Sequence, residues 1–199
     1  MRFVDWPLGA TVAVFSLGAA IGALLLLVFP AIRQPMMELI QVRLLEPVTA
    51  MKQFGSLALL LLILVNNSIP PVLSFAYPFL VGRLTWTPAL TIRRLSVLMV
   101  GFSLLTAFLV GFFGFGVGIS VGWLLGGESL VLRLLYGACL HGPVEFASIL
   151  LCVSEPMRLI RDVRISKDLL PRLRNDLDLL LFCLIALLFS AALEVFVGV

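Results

Sequence analysis

The chain has 199 residues, 61% of them hydrophobic and 13% charged, and a mean hydropathy of +1.16. Soluble domains average roughly 45–50% apolar and about 25% charged, so an ordinary soluble fold is excluded; low charge, aperiodic glycine and only three cysteines exclude a disordered chain, a collagen-like repeat and a disulfide scaffold. The formal charge of +3 then belongs to short loops between membrane helices, where it reports topology rather than nucleic-acid binding.

A helix needs about 20 mostly apolar residues to cross a bilayer. Five stretches meet that requirement and predict an all-α, polytopic membrane helix bundle forming a single domain over residues 1–199. The first, residues 8–29, carries no charge and stops at Pro30. Its length exceeds the apolar core of a secretory signal, so it reads as a retained span rather than a cleaved leader. Residues 32–53 then place Met36, Ile40, Leu44, Val48 and Met51 at helical spacing among polar residues. This segment reads either as an interfacial helix or as an extension packed on the bundle.

The second span, 54–81, is interrupted by Asn66, Asn67, Ser68, Pro70 and Pro71, which predicts a kinked or broken helix. The third, 96–125, is rich in glycine; Gly114, Gly118, Gly122 and Gly126 form one smooth stripe if the helix is regular. That stripe serves packing within the chain, self-association or a substrate groove. The fourth span, 130–153, holds His141, Gly142, Pro143 and Glu145 near its middle, where a break is expected and a half-helix begins near Pro143. Residues 154–178 alternate bases with acids and read as a solvated cytoplasmic loop or a docking surface. The fifth span, 179–197, is apolar apart from Ser190 and Glu194. Counting Arg133, at the start of the fourth span, with the turn before it, Lys and Arg number ten on one side and four on the other, which places the N-terminus in the cytoplasm and the C-terminus outside.

Ionisable groups at mid-membrane depth are expensive unless paired or hydrated. His141 and Glu145, four apart, must therefore face protein or water, and together with Asn66, Asn67 and Glu194 they define a candidate intramembrane polar cluster from spans two, four and five. It either clamps the bundle by hydrogen bonding or lines a transport site at a broken helix. Cys139, Cys152 and Cys183 lie in apolar runs without CxxC spacing and read as buried small residues. With one His in the chain, and neither a GxSxG nor a P-loop pattern, no catalytic residue, metal site or cofactor is expected.

Three of these features, in this order, carry a resemblance: Leu64-Val65-Asn66-Asn67-Ser68 in the second span, His141-Gly142-Pro143-Val144-Glu145-Phe146-Ala147 in the fourth, and Ala191-Ala192-Leu193-Glu194-Val195-Phe196 at the end. Together they resemble the stage II sporulation protein M family, most specifically through the HGxxE segment. The proline-rich Asn region departs from the family pattern and leaves either Asn66 or Asn67 in the family's Asn position. The resemblance implies an all-helical protein of the prokaryotic cytoplasmic membrane. In spore-forming bacteria such proteins act as scaffolds for a peptidoglycan-degrading complex during engulfment, and members also occur where no spores form. Two functions therefore compete. One is a non-catalytic scaffold or assembly subunit whose partners, besides the lipid bilayer, are other membrane proteins, peptidoglycan hydrolases or a second copy in a homo-oligomer. The other is a permease or channel-like subunit that uses the Asn/His/Glu cluster, as a lone homo-oligomer or with an ATPase.

Overall fold

A computed structural model describes residues 6–42, 46–84, 92–140, 142–166 and 170–197. Every described residue except Phe29, Phe54 and Gly55 is helical, and no strand occurs among them. Among the described residues, four helices are long and apolar enough to cross a membrane: Trp6–Val28, Ser56–Pro78, Ser96–Glu128 and Asp176–Phe196. The chain is a membrane-embedded, multi-pass helical protein.

The first helix, α1 (Trp6–Val28), buries Pro7, Thr11, Gly18, Gly22 and Leu26, one stripe at helical spacing. Pro30 opens a single 3₁₀ turn, Pro30–Ile32, that reverses the chain. The Arg33 side chain then donates to the carbonyls of Leu26 (2.7 Å) and Leu27 (3.0 Å), which have lost their helical donors at the end of α1. Within 32–53 lie two short helices, α2 (Arg33–Ile40) and α3 (Glu46–Gln53). Ile32, Met36, Met37 and Ile40 pack on Leu26, Val117 and Val121, so α2 folds back onto the bundle through its apolar face. Leu44 lies outside the described residues. Gly55, at φ +94°, makes the turn from α3 into α4.

The helix α4 (Ser56–Leu84) runs continuously through Pro70, Pro71 and Pro78. Of the two forms expected for this span, the break therefore does not occur. Neighbouring hydroxyls serve backbone carbonyls beside the prolines: Ser68 donates to Leu64 (2.6 Å) and Ser74 to Pro70 (2.8 Å). The third span consists of α5 (Ile92–Leu109), a π-helical segment (Val110–Val117) and α6 (Gly118–Leu140). Gly127 adopts φ 61°, ψ −150°, a conformation closed to other residues, and divides α6 in two just beyond the expected end of the span at 125.

The fourth span differs most from expectation. Residues 130–140 are helical as the second part of α6, and the helix α7 (Gly142–Ser166) begins where a half-helix was expected, beside Pro143; the departure is at its far end, where it carries through Pro156 into the region read as a loop. From Ser148 to Ile160 every residue is buried except Leu151 and Arg158, which are half-buried. The stretch 154–160 is thus helical interior rather than solvated linker. Its two charges explain why: Arg158 and Glu155 form an ion pair of 2.6 Å, one helical turn apart, and enter the interior as a neutral unit. The remainder of 154–178 is helical through Ser166 and again from Leu170, where α8 (Leu170–Val197) begins.

Packing places α7 at the centre, against α1, α4, α5 and α8. Ile149, Leu150 and Val153 of α7 form the main core with Ala107 and Leu187, joined by Leu64 from α4, while Phe75 and Cys183 meet Cys152. Tyr77 and Met99 close around Ile160. Rising numbers on α4 thus accompany rising numbers on α7 and falling numbers on α8, so α7 runs parallel to α4 and antiparallel to α8.

Candidate functional site

The polar side chains expected to converge are divided between two places. At the start of α7, Gly142 is buried, Pro143 is the second helical residue, and Glu145 lies in the first turn, where helix amides favour negative charge. The Ser190 hydroxyl of α8 serves the Glu145 carboxylate, and Glu194 lies one turn further along α8 in the same neighbourhood. Ser190 itself is 1% exposed. Phe146 anchors this turn, with ring centroids 5.3 Å from Phe15 on α1 and 5.7 Å from Phe115 in the π segment. Position and chemistry therefore come from three neighbours of α7 at once. His141 lies outside the described residues.

The second place is α4. Asn66 is exposed and Asn67 half-buried, and the Asn66 amide donates to the Asn67 side-chain oxygen at 3.4 Å. Both stand at the midpoint of the Ser56–Pro78 span, on the helix with the least protein cover. Sequence spacing had grouped Asn66 and Asn67 with Glu145 and Glu194; Asn66 instead points away from the core.

The glycine stripe also resolves differently. Gly114, Gly118 and Gly126 are exposed, and a Cβ at Gly118 would meet nothing within 4 Å. Of the four, Gly122 alone is buried. The close seam is made instead by Gly111 and Gly116 against Gly18 and Gly22 of α1, with backbone contacts that leave no room for a methyl group. The physical reason is the π segment: its i→i+5 hydrogen bonding brings residues five apart onto one face, so Gly111 and Gly116 align where an α-helix would have aligned Gly114 with Gly118. Ser120 locks the seam, its hydroxyl 2.5 Å from the Ala23 carbonyl and 3.1 Å from that of Gly22. The alternation Phe112-Phe113-Gly114-Phe115-Gly116 carried the signal in sequence, but α-helical spacing concealed it.

Cys152 and Cys183 are free, buried and adjacent, packed with Phe75. No group of three or more His, Cys, Asp or Glu capable of holding a metal occurs among the described residues. Chemically, the Glu145–Ser190–Glu194 arrangement can accept hydrogen bonds and hold a proton or a cation. No family model, curated protein or solved structure matches the chain.

Proposed function

We propose that the chain is a non-catalytic scaffold, an assembly subunit of a membrane protein complex in the prokaryotic cytoplasmic membrane. In this reading α7 supplies the fourth of five crossings, the N-terminus is cytoplasmic and the C-terminus lies outside. The observation that carries it is the burial of α7 from Ser148 to Ile160, where Leu151 and Arg158 alone are half-buried. A helix that opens within the bundle and is then sealed by four neighbours serves rigidity; a transport pathway would need a water-lined flank along it. The resemblance to the stage II sporulation protein M family adds the class of partner, namely peptidoglycan-remodelling enzymes or other membrane subunits. Purification from the native membrane in mild detergent, with mass spectrometry of the associated chains, tests the proposal. Stoichiometric hydrolases or membrane subunits are the expected result.

A specific observation favours a second reading. Two carboxyl groups on neighbouring helices, Glu145 of α7 and Glu194 of α8, with Ser190 serving the first, suit a relay for protons or a site for a cation in a permease. Under the scaffold reading, Glu145→Gln and Glu194→Gln leave the partner set and its stoichiometry intact. Loss of ion flux in proteoliposomes with the complex still assembled would instead establish transport.

A further inference from the structure

The face of α4 that carries Asn66 has a composition no lipid can satisfy. In its most apolar stretch only 6% of residues are buried, against 22% in each of the other three spans. Val65, Ile69 and Leu73 are 62%, 50% and 51% exposed, which suits lipid, yet Asn66 stands among them at mid-membrane depth, also exposed. The backbone adds to the demand. An α-helical carbonyl takes its hydrogen bond from the amide four residues later. Pro70 and Pro71 have no such amide, so the carbonyls of Asn66 and Asn67 lose their helical donors at the same level as the side-chain amide. Polar groups without partners in hydrocarbon are costly, and helix association is how membrane proteins relieve that cost. Beside this polar point lies an apolar groove between α4 and α8 of about 610 Å³, with Ile69 and Leu73 on its α4 wall and Leu184 and Leu188 on its α8 wall. Asn66 precedes Ile69 and Leu73 on the same helix face, so it stands at the rim of that groove.

We infer that this face docks a second copy of the same chain, as a two-fold dimer whose α4 helices cross at Asn66. A primary amide is both donor and acceptor, so Asn66 against Asn66 of a second copy is complete by itself, and the freed carbonyls accept the remaining donors. From Ser56 to Pro78 the helix carries no Asp, Glu, Lys or Arg, so two identical faces meet without repulsion. An acyl chain would fill the groove but offer no donor to the carbonyls that Pro70 and Pro71 leave free and nothing to Asn66 beyond its long 3.4 Å bond to Asn67, which is why the occupant is protein rather than lipid. The inference does not depend on whether the chain is a scaffold or a permease.

The test reconstitutes the full chain in bilayers over a range of protein-to-lipid ratios and reads the dimer fraction by single-molecule photobleaching. The wild type is expected to dimerise, Asn66→Gln to retain most of the affinity, and Asn66→Leu to weaken it by about 3- to 15-fold, the range measured for interhelical polar contacts in membranes. Val65→Cys, tested with the wild type as background for the native cysteines, is expected to form an oxidative cross-link between copies without disturbing the core. A wild type that stays monomeric at every density would overturn the inference. So would a dimer indifferent to Asn66→Leu and not cross-linked through Val65→Cys, or cross-linking of Val65→Cys in native membranes to a different protein alone.

Discussion

A methyl group added at Gly111 or Gly116 would run into the backbone of α1, at the carbonyl oxygens of Phe15 and Ala19. Backbone in the middle of a helix cannot step aside as a flexible side chain can, so the two helices must part. Gly111→Ala is therefore expected to lower stability by about 1–3 kcal/mol, the usual range for overpacking. Gly118→Ala, with open space around its Cβ, is expected to be neutral or to stabilise by up to about 1 kcal/mol through helix propensity. Unfolding midpoints in one detergent, followed by tryptophan fluorescence, separate the two. The contrast inverts the reading that α-helical spacing supports, in which Gly118 packs and Gly111 lies to one side. Glycine enrichment in this span was legible in the sequence, but the face it served depended on a hydrogen-bonding pattern that residue spacing does not reveal. Glu145 and Glu194 were legible for a different reason: carboxylates inside apolar helices must find neighbours wherever the helices go. Ser190, which donates to Glu145, had no signal beyond being the other polar residue of its span.

At the scale of single helices, the first, second and last spans were legible because long uncharged runs have one physical outcome in lipid. The helix α7 was not, because Glu155, Arg158 and Pro156 read as the end of a span. In the structure the opposite charges pair at 2.6 Å within one helical turn, and Pro156 is buried inside the helix. A rule that scores each charge separately counts as exposed what enters the core as a pair. Removing one member exposes the difference: breaking a buried pair costs roughly 3–5 kcal/mol, and the residual side-chain exposure of 18% and 11% lowers the expectation to about 2–3 kcal/mol. Glu155→Ala should fall by that amount in the same unfolding assay. The double variant Glu155→Ala, Arg158→Met is expected to recover more than half of the loss, since no uncompensated charge remains.

For the whole molecule, the packing orders alternate: α1 and the third span run together, α4 and α7 run the other way, and α8 returns. Reporter fusions at the C-terminus and at the junction between α7 and α8 test the topology proposed above. A C-terminal alkaline phosphatase should be active outside the cytoplasm and a fusion at the junction inactive, and the reverse pattern would invert the assignment. The seam between α1 and the third span has a consequence for biosynthesis. Ser120 and the carbonyl it serves on Gly22 are 98 residues apart in the chain, and α4 is made between them. Because α1 packs chiefly on the third span and α7 rather than on α4, it must enter the membrane and wait, its glycine groove open to lipid, until synthesis has passed Ser120. The helix α1 is thus made well before the segment that closes its glycine groove. The machinery that inserts this chain must hold α1 in place with its groove unfilled while the 98 residues that separate Gly22 from Ser120 are added.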